Sequence, residues 1–406
     1  MAGRLGGIAL VLIGATVAWF ILGATIAMRT QSSDQSQRAS LSALWGAEQV
    51  QSAPTFAFGT MQREKNGRQV SAYVPIAASR SRITVDLALD ERRKGLLWYN
   101  TYAIGFAGTY RIEPTATGGW VNLRFALPSQ TATYDDVRLT IDGRRVPVTG
   151  SAGTLSASIP VKRGQSGTLG VEYRSHGLGT WRYHFGDGAL GARDFTLTMR
   201  TNFKAIDFPP QTLAPTAETP TANGWLLTWR YTELIGGSGI GMAFPQHLQP
   251  GPLAERLTLW APLSLLFYVF VMLVITTLRK IDLHPINYFF LAAAFFAFHL
   301  LFAYTVDRLR IEYAFILCSA VSMALTISYL RLVVGLRFAA VEAALAQFFY
   351  LILFSFALFD EGWSGLSITI GAIVTLFITM QLTGRINWSE RFRLGATMSP
   401  RRPASS

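Results

Sequence analysis

Few residues in this chain combine a reactive type with a spacing that could do chemistry. His176, His184 and Asp187 come nearest to a metal or acid–base cluster. Zinc needs several ligands in fixed geometry, and no His-Glu-x-x-His segment accompanies them. His184 alternates with Trp181, Tyr183 and Phe185, which sets it on the opposite, solvent side of a strand beside a Gly-Asp-Gly turn. The run Gly236-Gly237-Ser238-Gly239-Ile240-Gly241 has the glycine content of a phosphate cradle. Phe244 stands where a dinucleotide fingerprint needs its last glycine and no βαβ context follows, so the run reads as a flexible tether. No Gly-x-Ser-x-Gly elbow supports a serine hydrolase. The single cysteine, Cys318, excludes a disulfide framework or a cysteine cluster within one chain. Catalytic, cofactor-binding and metal-binding residues are therefore expected to be none, and the chain is expected not to be an enzyme.

Three polar residues fall inside strongly apolar stretches: His299, Glu342 and Gln347. Such residues are costly in lipid and mark function by default. Glu342 lies about one turn from Arg337, so a pair within the helix or snorkelling accounts for it. His299 has no acid in its own stretch and meets Glu342 only if two helices cross at unequal depths. These two residues support a second reading, a transporter or lipid-handling protein with a bundle cavity near His299.

The elements that carry these residues follow from composition. Of 406 residues, 50% are hydrophobic and only 15% charged, against about a quarter charged in soluble domains. Leu5–Met28 holds no charge and is bounded by Arg4 and Arg29; it is too long for the core of a cleavable leader and reads as a signal-anchor within residues 1–29. Five further stretches, Leu257–Leu278, Ile286–Tyr304, Tyr313–Tyr329, Ala339–Phe359 and Gly365–Leu382, approach or exceed the length of a membrane span and form a bundle over 257–384. Arg279, Lys280, Arg331, Arg337, Arg385, Arg391 and Arg393 then fall on one side, with a basic tail over 385–406. The positive-inside rule places both termini in the cytoplasm, with Trp260 and Trp363 at the outer interface and Trp388 just past the inner one.

Residues 30–256 lie across the membrane in this scheme. They alternate apolar and polar residues, as in Ile83, Val85, Leu87 and Leu89, or Trp225, Leu227, Trp229 and Tyr231, and Asp142-Gly143 is a hairpin signal. A helical turn or two is expected around 38–50, and Asp207–Ala222, with four prolines, reads as a loop. The fold class expected is an α-helical multi-pass membrane protein with six spans and a large extracytoplasmic all-β domain, antiparallel and sandwich-like. The alternating aromatics read as core rather than as a glycan platform. The net charge of +12 divides equally between residues 30–256 and the rest, and implies no nucleic acid.

Leu283-His284-Pro285-Ile286-Asn287-Tyr288, Ser328-Tyr329-Leu330, Asp360-Glu361 and Gly384-Arg385-Ile386-Asn387-Trp388 together resemble the bacterial inner-membrane CreD family, also called cell envelope integrity inner-membrane proteins. The resemblance covers about residues 257–390. The family tends to have Glu-Asp in the last outer loop and Asp before the final Trp, and its outer domain is longer, so this is a divergent, short member. The signature residues carried over are Leu283, His284, Pro285, Tyr288, Asp360, Glu361, Arg385 and Trp388. Pro285 suits a first helical turn, Asp282 is placed to cap it, and Arg385 with Trp388 would hold the last helix end at the interface. The resemblance implies a role in envelope stress, including responses to cell-wall antibiotics and tolerance to some colicins, with no established reaction. The partners expected are the lipid bilayer, an envelope protein or polymer and, in an oligomer, another copy. A periplasmic glycan-binding or hydrolytic domain on a membrane anchor is the third reading.

Overall fold

No proline interrupts residues 2–45, and in the computed structural model they form one continuous helix, α1 (Ala2–Trp45). It ends at Gly46, whose φ of 87° makes it a glycine stop. The structure describes residues 2–384 apart from 64–68, 114–118, 148, 152, 187–191, 237, 246, 361 and 363. The helical turn expected near residue 38 is the end of this same helix, which runs past Arg29 through a polar stretch. The chain divides into two compact units, one of residues 1–34, 95–97 and 248–406 and one of 35–94 and 98–247.

In the helical unit α1 is followed by α2 (Pro250–Leu278), α3 (Pro285–Thr305), α4 (Ile311–Val333), α5 (Phe338–Phe356) and α6 (Ser364–Thr383). All six are long and apolar enough to cross a membrane. The Pro250-Gly251-Pro252 cluster is the first turn of α2, where a missing N–H leaves no bond unmade. Two stretches of α5, Phe338–Ala343 and Phe348–Leu353, are π-helical.

The other unit is rich in β-sheet. Eight strands pair in the order Ala217–Pro220, Trp225–Leu234, Ala192–Thr201, Ala78–Lys94, Leu97–Ile112, Gly167–Leu178, Tyr134–Ile141 and Arg144–Arg145. Five more pair in the order Gln69–Ile76, Thr55–Arg63, Gly119–Ala126, Thr154–Val161 and Thr149–Ser151. The inner faces of these two sheets share one core, where Phe106 meets Phe125. The alternating aromatics belong to it: Trp181, Trp229, Tyr102 and Tyr183 are all but fully buried. Asp142 and Gly143 both take positive φ, 48° and 79°, and join Ile141 to Arg144 in a two-residue hairpin.

Three sequence expectations need correction. The sheets are not purely antiparallel: Ala192–Thr201 runs parallel to Ala78–Lys94, and Gln49–Ser52 parallel to Trp181–His184. Period-two alternation sets which face is buried and says nothing about strand direction. The expected loop contains the exposed edge strand Ala217–Pro220, where proline is tolerated. The glycine run is no tether, because Ile240–Met242 is a buried strand paired with Trp181–Tyr183. A Cβ on Gly239 would sit 2.7 Å from the Tyr183 carbonyl oxygen, so its glycine serves a close backbone approach.

Candidate functional site

The helical unit holds the intramembrane polar residues and the described part of the family signature, and α1 is tied into it at two points. Near its start Arg4 pairs with Asp282 at 2.7 Å. Farther along, Arg29 reaches Asp307 at 3.6 Å and lies over the Tyr304 ring at 4.9 Å. At ~1.5 Å per residue the two arginines are about 37 Å apart along the helix, enough to bracket a hydrocarbon layer. Between them Trp19 is fully buried against Phe296 and His299.

The Leu283–Tyr288 segment is where these helices meet. Leu283 and Tyr288 are fully buried, and the Tyr288 hydroxyl lies 3.4 Å from Thr276 of α2. A Cβ on Gly7 would come within 2.9 Å of Pro285, so α1 approaches this corner through glycine. The cap of α3 is His284, whose Nδ1 accepts from the Ile286 N–H at 3.3 Å. Asp282, expected in that role, is turned to Arg4 instead. An ion pair with a residue 278 positions away in sequence is not readable from local capping rules. Asp360 follows α5; its carboxylate accepts from the Gly362 N–H at 2.9 Å, and its carbonyl from Ser364 at the start of α6.

Glu342 also finds a different partner from the one expected. It pairs with Arg279, just past the end of α2, at 2.6 Å rather than with Arg337 on its own helix. One of its carboxylate oxygens is buried without a hydrogen-bond partner. His299 is 2% exposed and donates through Nδ1 to the Phe295 carbonyl one turn back, at 3.1 Å. Its ring packs edge-on against Trp19 and Phe298. His299 and Glu342 are thus held by different partners and do not form a site together, and aromatic packing occupies the space beside His299. Gln347, wholly buried in α5, donates to Ser322 of α4 at 2.8 Å, which in turn donates to the Ala294 carbonyl of α3 at 2.7 Å. Ser264 of α2 donates to the Tyr350 carbonyl. This polar bridge joins four helices. Sequence reading found Gln347 but missed Ser264 and Ser322, although Ser319, Ser322 and Thr326 recur at helical spacing and gave a signal for one polar face.

A cleft of about 1250 Å³ lies between α2, α5 and α6. Phe267, Val271, Phe349, Leu353, Ile370 and Val374 line it, with Asp360 at its edge. The Tyr350 hydroxyl and Thr375 Oγ1 bond to each other across it at 2.8 Å, so the polar groups of α5 and α6 satisfy one another.

In the β unit the two histidines stay apart in role. His176 packs edge-on against Trp45, and half-buried His184 accepts from the Gly186 N–H at 3.2 Å. Among the described residues no group of His, Cys, Asp or Glu could hold a metal. Asp187, Glu361, Trp363, Arg385, Trp388 and the rest of the basic tail lie outside the described residues.

Comparison with known proteins gives these features a context. Residues 232–389 match the model of the family described as "Inner membrane protein CreD". No curated protein matches the chain. Among solved structures, a putative nutrient binding protein from Legionella pneumophila is 7% identical, with a TM-score of 0.33 over 55% of this chain and 76% of that one. An M1 zinc metallopeptidase from Deinococcus radiodurans is 13% identical, with a TM-score of 0.25 over 41% of this chain and 42% of its own length.

Proposed function

We propose, for a chain whose C-terminal part belongs to the CreD family of inner-membrane proteins, a non-catalytic role in maintaining or monitoring the bacterial cell envelope. The observation that carries this reading is the union of six apolar helices with a β unit that has its own core. Such a chain can hold a folded body on the far side of a membrane from its termini. In this reading both termini are cytoplasmic and residues 30–256 are periplasmic. Arg279, Lys280, Arg331 and Arg337 then fall inside, which the positive-inside rule favours. The β unit meets an envelope protein or polymer, and the bundle anchors or relays that contact. Support for a structural role comes from the signature segment: Leu283 and Tyr288 are buried packing residues, Pro285 opens α3 and His284 caps it.

The test is a deletion strain challenged with detergents and β-lactams. Raised sensitivity, reversed by the intact gene, is the expected result; sensitivity equal to that of the parent strain would sink the reading.

A further inference from the structure

The cleft between α2, α5 and α6 has no role in the account above, and its walls have a definite chemistry. Apolar side chains line it, and Ile370, Val374 and Ile378 of α6 remain about half exposed. One wall is a π-helical stretch of α5, a distortion that recurs at functional sites. The Tyr350–Thr375 hydrogen bond leaves the apolar surface as what an occupant meets. Asp360 puts an acid at the edge of this surface, and among the described residues no Lys or Arg pairs with it.

We propose that this cleft binds a membrane phospholipid whose headgroup carries an amine, as phosphatidylethanolamine does. Its acyl chains fill the apolar space between α2, α5 and α6, and its ammonium group meets the Asp360 carboxylate. An anionic headgroup without an amine would be repelled at that position. The inference rests on reading the helices as membrane spans.

Gly371 makes the idea testable. It lines the cleft, and a Cβ added there meets nothing within 4 Å. Gly371→Leu therefore puts an apolar side chain into the cleft from a position with room for its Cβ, and improves the helix propensity of α6. The full chain, purified in mild detergent, is examined by native mass spectrometry with added phosphatidylethanolamine or phosphatidylglycerol. The wild type is expected to retain phosphatidylethanolamine preferentially, and Gly371→Leu to bind it about tenfold more weakly or not at all. Asp360→Lys is expected to keep lipid binding but to reverse the preference towards phosphatidylglycerol. Equal lipid retention in the wild type and Gly371→Leu would overturn the proposal. So would dimers that disappear in Gly371→Leu, since a second copy would then be the occupant. A chain recovered from cells without detergent would instead overturn the membrane reading itself.

Discussion

Glu342 is held by a residue from another helix, and that changes what its substitution should do. Arg279 is 57% exposed at its side chain, whereas the Glu342 side chain is 18% exposed with one oxygen already unpartnered. Removing the arginine leaves a carboxylate that solvent reaches poorly; neutralising the acid leaves an arginine that solvent reaches well. Arg279→Ala is therefore expected to destabilise the bundle by about 1–3 kcal/mol, and Glu342→Gln by less. Thermal unfolding of the two variants in the same detergent measures the order. Equal effects would mean that the pair contributes through contact rather than charge. His299 carries a related lesson: an expensive residue in an apolar helix can be satisfied by a carbonyl one turn away and by ring packing, with no transport role required.

At the scale of elements, the buried strand Ile240–Met242 turns a glycine-rich segment into part of the fold. Gly239 faces the Tyr183 carbonyl at a distance that no Cβ tolerates, while a Cβ on Gly236 meets nothing within 4 Å. Gly239→Ala should cost about 1–3 kcal/mol through overpacking, because the obstructing atom is backbone and cannot rotate away. Gly236→Ala should be close to neutral. Denaturant unfolding followed by tryptophan fluorescence separates the two, and a tolerated Gly239→Ala would restore the tether reading. The same logic explains Gly7, which lets α1 approach Pro285.

For the whole molecule, the β unit carries a pH limit in its core. Burial pushes Tyr102, Tyr110, Tyr173 and Tyr183 above the ordinary tyrosine range. Their hydroxyls are used inside the fold: Tyr173 donates to Gln51 at 2.8 Å and Tyr102 to the Thr180 carbonyl at 3.0 Å. A tyrosine whose folded-state pKa is raised binds its proton more tightly when folded, so stability is complete below the unfolded value of about 10 and falls as pH rises beyond it. The full chain in detergent is expected to lose β-sheet circular dichroism above that pH, with the last part of its tyrosinate absorbance rising in the same step. Tyrosinate absorbance reaching the level of all 14 tyrosines while the sheets are intact would contradict the burial of these rings.

Local pattern carried much of this protein. The six apolar helices were legible because a span in lipid needs an uninterrupted apolar run, and the β-rich body because half-buried strands alternate. Ile83, Val85 and Leu87 are buried as their spacing required. The segments Leu283–Tyr288, Ser328–Leu330, Asp360-Glu361 and Gly384–Trp388 together indicated the family whose model matches residues 232–389. What lay outside local pattern was who meets whom. Strand direction, the His284 cap in place of Asp282, the Arg279–Glu342 pair and the Gln347–Ser322–Ala294 bridge join residues far apart in sequence. The cleft between α2, α5 and α6 exists only where those helices fail to close on one another. Each is a choice among partners of similar local chemistry, and only the packing of the whole chain removes the alternatives.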